Sequence, residues 1–341
     1  MPAYIDKYKN EFAIEFAKIM EKNLSEWKRV QAERRRSLYS FRAFLFYIGL
    51  SLISFFGILL DGLKDVSGDD SFLGLLYLSS VMALLGFVAA VFINIFVTNK
   101  AYQNDIKKTL FPKLLKVFGI IYSNNAMIDL TSDCYDCIDP EDITNIPHYI
   151  NADILNNSKL YEDNITNGYI DKDDCFFGVY NNVAFAINEI PKIKHYKAIY
   201  FQGVAMLFKM NKQINSRVLI LSKSQKIPKN YEKVNVEYEK FNKRYHVYTE
   251  EGGQIEARYL LNTAFLDRLM QIKTSFKVSK MKCSVYGNDL LIMLSTKRDL
   301  FEMNHLFGRI DDVTQYKTLF EEFASVLSFI DVLNLSSKTK L

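Results

Sequence analysis

Histidine and cysteine are scarce in this chain of 341 residues, four of each, and their placement argues against most metal and redox chemistry. His148, His195, His246 and His305 are scattered, with no ligand-type spacing between them. No HExxH, GxSxG or phosphate-loop pattern occurs, so the common hydrolytic and nucleotide-binding chemistries find no anchor. The one suggestive pair is Cys134-Tyr135-Asp136-Cys137. A redox pair wants a helix start behind it, where the dipole lowers a thiol pKa, whereas Asp133, Asp136 and Asp139 act in the opposite sense. A zinc site needs two more ligands, and Cys175, Cys283 or His148 would supply them only by coincidence of folding. We therefore expect no catalytic, cofactor-binding or metal residues and no cofactor, and no catalytic motif marks the chain as an enzyme. Internal repeats and low-complexity tracts are also missing. The net charge of +4 is modest, without the concentrated basic face of a nucleic-acid binder.

Charge is absent altogether from two long stretches, and the chain is organised around them. Ala43 to Leu60 and Phe72 to Thr98 contain no charged residue. Each reaches the roughly 18 to 20 residues that cross a bilayer core of about 30 Å. The link between them, Asp61 to Ser71, is too short to be a domain. The pattern predicts a transmembrane helical hairpin. Lys28, Arg29, Arg34, Arg35, Arg36 and Arg42 precede the first span, and Lys100, Lys107, Lys108, Lys113 and Lys116 follow the second. The loop carries Lys64 alone against four aspartates, so both arms read as cytoplasmic. Asp6, Lys7, Lys9, Glu11 and Glu15 interrupt any apolar run near the start, which is unlike a cleavable signal. Cysteines in such a compartment stay reduced.

Residues 3 to 38 read as one amphipathic helix, with Tyr4, Tyr8, Phe12, Phe16, Met20, Leu24 and Trp27 on one face. That face fits a partner helix, its own copy in an oligomer, or lipid headgroups. A partner helix is the favoured reading, because a matching stripe follows the second span: Tyr102, Ile106, Leu110, Leu114, Phe118 and Ile121. Pro112 should kink that stripe or begin a new helix. Within the second span, Ser79 and Ala83, then Gly86 and Ala90, are small residues four apart, a spacing that lets helix backbones approach in lipid. Asn94 is the only amide in either span and reads as interface-solvated.

Strand signals dominate the rest. Cys175 to Tyr180 and Val183 to Glu189 flank Asn181-Asn182, a two-residue hairpin turn. Lys197 to Met210 and Arg217 to Ser222 read as two strands, the former bulged at Gly203. Phe276 to Val285 and Leu290 to Leu294 read as a second hairpin around Gly287-Asn288-Asp289. Tyr259 to Ile272 has helical spacing, and a last helix runs from Asp312 to Leu333. The expected fold class is α+β: an N-terminal amphipathic helix, the two-helix hairpin, then a cytosolic domain with a mostly antiparallel sheet and a C-terminal helix. Its expected parts are residues 1–42, the hairpin 43–98 with spans 43–60 and 72–98, a stalk helix 99–123, and the domain 124–341.

The densest local pattern lies between Val234 and Ile272. Glu237, Phe241-Asn242-Lys243-Arg244, Val247-Tyr248 and Glu256-Ala257-Arg258-Tyr259-Leu260-Leu261 stand out, followed by Gly287, Leu290 to Leu294 and Asp299-Leu300-Phe301-Glu302. With Phe201-Gln202-Gly203 upstream and the paired spans, the chain resembles DUF3137, a family of bacterial membrane proteins of unknown function. Gly252-Gly253 stands where an acidic turn is more usual, and Asn262-Thr263-Ala264 lacks a frequent proline. The resemblance implies no activity. It implies companionship with LemA-type membrane proteins, and hence a helical partner for residues 3 to 38. Arg258 reads as one half of an ion pair with Glu237, Glu256 or Glu302. The leading functional reading is a scaffold or interaction module of the bacterial inner membrane, multi-pass, both termini cytoplasmic, with the lipid bilayer, a LemA-like protein or its own copy as partners. The alternative is a ligand-sensing or enzymatic cytosolic domain with a polar cleft near Arg258.

Overall fold

The computed structural model describes residues 3–38, 41–62, 69–116, 118–124, 150–162, 164–165, 170–171, 173–195, 198–225, 229–298, 300–301 and 316–338. The chain divides into two compact units. One gathers Met1–Ile19, Lys108–Asn304 and Val313–Leu341, and the other centres on Met20–Lys107. Helix α1 covers Ala3–Leu38, the range its periodicity predicts. No glycine or proline interrupts it, and ion pairs one turn apart such as Lys7–Glu11 and Arg29–Glu33 dress its exposed side.

Helices α2 (Phe41–Gly62) and α3 (Asp69–Lys116) form an apolar pair in the second unit. Ala43–Leu60 and Tyr77–Thr98 are each long and apolar enough to cross a membrane, and only 6% of either stretch is buried inside the protein. A soluble core helix would be mostly covered; here Phe92, Phe96 and Leu84 stand more than 60% exposed. The small residues of α3 are used within the pair itself. Ser51 Oγ donates to the Ala83 carbonyl at 3.0 Å, Gly86 lies against Ser54, and Ala90 packs with Ala43 and Tyr47. Asn94 Nδ2 donates to the Tyr47 hydroxyl, an interhelical bond and not the solvated amide expected.

α3 continues unbroken through Pro112 to Lys116, so the anticipated stripe ends there. Ile121 belongs instead to strand β1 (Ile120–Asn124), paired antiparallel with β3. After a short helix α4 (Ala152–Asn157) come β2 (Ile170–Asp171), β3 (Asp174–Tyr180), β4 (Val183–His195) and β5 (Ala198–Ser222). β6 (Glu232–Val234), α5 (Glu239–Asn242), β7 (Tyr245–Thr249), α6 (Gln254–Leu260), α7 (Thr263–Ser275), β8 (Lys280–Ser295) and α8 (Lys317–Lys338) complete the unit. The eight strands form one antiparallel sheet in the order β1-β3-β4-β5-β7-β6, with β2 on β4 and β8 on β5. The α+β class and the antiparallel sheet are as expected.

The β3–β4 hairpin turns at Asn181 and Asn182, with φ 47° and 61°, the left-handed pair a tight hairpin turn demands. Two other expectations fail. β5 is a single strand of 25 residues, and β8 is a single strand of 16 running along it, so Gly287-Asn288-Asp289 makes no hairpin. Gly203 marks a close approach and sits at φ 147°: a Cβ there would lie 2.0 Å from the Leu294 carbonyl oxygen of β8.

Both sheet faces are buried, which explains the near-continuous apolar runs of β5 and β8. Leu207, Leu219, Leu291 and Met293 point into a core with Leu155 and Ile150 from the α4 segment. Phe208, on the other face, meets Phe329 of α8, which also contacts Phe265 of α7. Helix α8 is buried on nearly every side between Leu319 and Leu333. Its remaining side is covered by the start of α1. Phe12 stacks on Phe118 at 4.0 Å and on Phe320 at 5.6 Å, and Phe16 meets Tyr316 at 4.4 Å. Lys9 pairs with Glu321 at 3.2 Å, and the Tyr8 hydroxyl donates to Asp331 at 2.5 Å. The aromatic face of α1, matched in sequence to the stripe after the second span, is filled over Tyr8 to Phe16 mainly by α8, with Phe118 of that stripe stacked on Phe12.

Candidate functional site

The motif-rich stretch from β6 to α7 builds a cleft. The single helix predicted over Tyr259 to Ile272 is broken: α6 ends at Leu260, and Asn262 starts α7 by accepting the Phe265 N–H at 2.9 Å. The break leaves Arg258 on the last turn of α6, facing Asn235, Val236 and Glu237. With Leu261, Asn262 and Thr263 these residues line a cavity of about 520 Å³. Arg258 is exposed, and its Nη2 donates to Gln254 Oε1 at 3.2 Å. The expected ion pair with Glu237 or Glu256 is not formed, and Glu302 lies outside the described residues. A guanidinium free to face an open cleft can take the oxygens of a ligand in a charge-assisted bond.

Glu256 and Glu250 perform a different task, at a place the sequence did not single out. Between Lys209 and Val218 strand β5 advances nine residues while β8, from Asp289 to Val285, advances four. The surplus forms a bulge, and bulges leave ladder amides without their usual partners. Here two carboxylates take them. Glu256 accepts the N–H of Asn215 at 3.1 Å and of Ser216 at 2.9 Å, and Glu250 accepts that of Arg217 at 2.9 Å. Glu250 also holds the Arg217 guanidinium, with Nη1 at 2.8 Å. Gly253 lets α6 approach the bulge closely, since a Cβ would fall 2.5 Å from the Ser216 Cβ. Arg217 itself is 9% exposed and lies over the Tyr286 ring at 4.2 Å.

This bulge opens a second cavity of about 360 Å³, whose walls include Arg217, Tyr286, Asn288 and Asp289, with Leu207 and Leu291 at its base and Ile154 and Asn157 from α4. The available sequence signal was the polar run Lys209 to Arg217 inside an otherwise apolar strand. It reads as a loop unless the two distant glutamates are known to cap it.

Elsewhere, buried Glu322 meets Arg298 Nη2 at 2.6 Å. Burial nevertheless outweighs the attraction of Arg298 and Lys277 and pushes the carboxyl up to about 7. Cys175 and Cys283 are buried thiols, and burial raises the Cys283 pKa, the opposite of a reactive cysteine. Burial, then Lys233 and Lys223, lowers the pKa of His246. Among the described residues, no three His, Cys, Asp or Glu side chains gather to hold a metal. Cys134, Cys137, His148 and His305 lie outside those residues.

Fold and clefts define an antiparallel α+β unit joined in sequence to an apolar helix pair, with arginine-lined cavities and no recognisable catalytic constellation among the described residues. Over residues 199–335 the chain matches DUF3137, described as a protein of unknown function, as the motifs around Arg258 led us to expect. None of the curated proteins matches. Among solved structures, the crystal structure of the mycobacterial trehalose monomycolate transport factor A, TtfA, is similar at 12% identity. The likeness covers 63% of this chain and 86% of that one, with a TM-score of 0.32, too low to carry an argument about fold or function.

Proposed function

We propose that this protein is a membrane-anchored interaction module of the bacterial inner membrane, with two spans, both termini cytoplasmic and the sheet unit in the cytosol. The observation that carries the reading is the uncovered apolar surface of Ala43–Leu60 and Tyr77–Thr98. In water, so large a patch drives aggregation; in lipid it is at rest. The lysines and arginines flanking the spans, against an acidic loop, support the orientation. A helical partner, LemA-like by the family resemblance, or a second copy would meet α2 and α3 on their lipid-facing sides, because the α1 face from Tyr8 to Phe16 already has an occupant. The test is a photoreactive residue in place of Leu84, which is 63% exposed, with crosslinking in intact cells. The reading expects capture of a defined membrane protein or of the chain itself. It expects a cysteine introduced at Ser67 to be labelled from outside. Release of the protein from membranes by alkaline wash would defeat the anchoring claim, and a lone monomer with no crosslinked product would defeat the interaction claim.

A second reading rests on the cleft beside Arg258, whose volume lies in the range of small-molecule sites. It makes the cytosolic unit a sensor, and Arg258→Ala would abolish its response to ligand while leaving the fold intact.

A further inference from the structure

We infer that the bulge cavity between β5 and β8 is a binding site for a small oxyanion, a carboxylate or a phosphate, taken by Arg217. Arg217 carries the inference. It is buried, its Nη1 is committed to Glu250, and its ring-facing plane is committed to Tyr286. Its Nε is buried too, and no hydrogen bond of ordinary geometry reaches that N–H among the described residues, with the Tyr231 hydroxyl packed against the guanidinium and Glu250 on the other side. A buried charged donor left unpaired is costly, and folded proteins retain such a group where something else completes it.

The cavity beside it is built to admit that something. Its volume of about 360 Å³ matches a compact organic molecule. Leu207 and Leu291 give it an apolar base, Asn157 and Asn288 give it amides, and Tyr286, half exposed, gives it an aromatic wall. Asp289 also lines it, but Lys209 holds that carboxylate at 2.5 Å, as Glu250 holds the far side of Arg217. Of the three carboxylates around the bulge, Asp289 is paired with Lys209, Glu250 with Arg217, and Glu256 is held by the Asn215 and Ser216 amides, which leaves the Arg217 Nε–H as the donor to be completed.

The backbone supports the same conclusion. The bulge exists because Glu250 and Glu256 accept three successive amides and Gly253 lets α6 come close. Three residues of another segment are spent to interrupt a sheet that an unbroken ladder would stabilise. The interruption holds Arg217 in the same cavity wall as Ile154 and Asn157 of α4, with its Nε–H outside these hydrogen bonds. An oxyanion bound along that edge makes a charge-assisted bond in partly desolvated surroundings, where it is strongest.

The experiment is thermal unfolding of the full-length protein in detergent micelles, titrated with sodium phosphate or sodium acetate at constant ionic strength made up with chloride. The expected result is a saturable rise in Tm with one of the two anions, which also identifies the source as phosphate or carboxylate. Arg217→Lys keeps a cation for Glu250 but lacks Nε–H, and it should weaken the apparent affinity at least tenfold. Tyr286→Ala, at an exposed ring that folding tolerates, should weaken it as well and stands in if Arg217→Lys does not fold. Ile14→Ala, at an exposed position outside the cavity lining, should leave it unchanged. A rise that survives both Arg217→Lys and Tyr286→Ala, a rise lost in Ile14→Ala, or no rise with either anion overturns the inference.

Discussion

Replacing Phe12 by alanine tests whether the start of α1 belongs to the sheet unit. Phe12 is fully buried, with rings of Phe118, Phe320 and Phe323 at 4.0, 5.6 and 5.9 Å. Truncating a buried phenylalanine costs about 3–5 kcal/mol, a sum of lost transfer energy and the cavity left behind. Stacked aromatic neighbours contribute roughly 0.5–1.5 kcal/mol each beyond area, which places this site toward the upper end. For a cooperative unit of about 150–250 residues, 1 kcal/mol moves Tm by roughly 2–4 °C, so a fall of about 6–20 °C is expected. Ile14, two positions on and 55% exposed, is the control. Ile14→Ala should stay within about 0.5 kcal/mol of the parent. The assay is thermal unfolding of both variants, purified in the same detergent and followed by far-ultraviolet circular dichroism. Equal, small shifts would refute the reasoning, because they would mean that the aromatic face of α1 is not packed on α8 and is available to another molecule or to lipid.

Glu322 has a carboxyl pKa of about 7 in the folded protein, raised by burial above its ordinary value. The folded state therefore binds the proton more tightly, so stability is full below the ordinary carboxylate range and declines as pH rises toward 7, by about 3 kcal/mol in all. Glu322→Gln should flatten that decline in denaturation curves taken between pH 4.5 and 7.5, and an unchanged slope would contradict it. Gly203→Ala should destabilise by more than the roughly 1–3 kcal/mol of ordinary overpacking, since its Cβ would meet the Leu294 carbonyl oxygen at 2.0 Å; full stability in urea titration would contradict the close approach. Asn94→Ala removes the bond to Tyr47 and should cost about 0.6 kcal/mol, and at most about 1.7, in unfolding from mixed micelles. A larger loss would point to a role outside the helix pair.

Local chemistry was legible in the sequence where one signal decides the outcome. The limits of α1 follow from its uninterrupted periodicity, and the Asn181-Asn182 turn follows from two residues that tolerate positive φ. The misreadings share a cause. Gly287-Asn288-Asp289 carries a strong turn signal, yet pairing with β5 keeps the strand running past it. The polar run ahead of Arg217 looks like a loop because its amides are satisfied by Glu250 and Glu256, more than thirty residues downstream. Asn262 is a good helix cap, but the apolar spacing across it masked the break. Arg258 was marked by its motif, while its exposure depended on how α6 ended. The small residues of α3 and the aromatic stripe of α1 were each recognised as interfaces. For α1 the sequence pointed to the stripe that includes Phe118, which does stack on Phe12, and gave no sign of α8, whose rings supply the rest of the cover.

The bond between Tyr8 and Asp331 joins residues 323 positions apart. A ribosome working at about 5–20 residues per second needs roughly 15–65 s to cover that distance. Throughout that interval the aromatic face of α1 has been made and its cover has not. The apolar pair α2 and α3 emerges within the same interval, so any membrane insertion during synthesis would begin before the sheet unit can close. Until α8 emerges, Phe12 and Phe16 are adhesive surface, suited to a chaperone or to the wrong neighbour. Helix α8 is the element that ends that exposure, and loss of the turns that carry Phe320 and Phe323 would leave Phe12 and Phe16 uncovered as they are in the nascent chain.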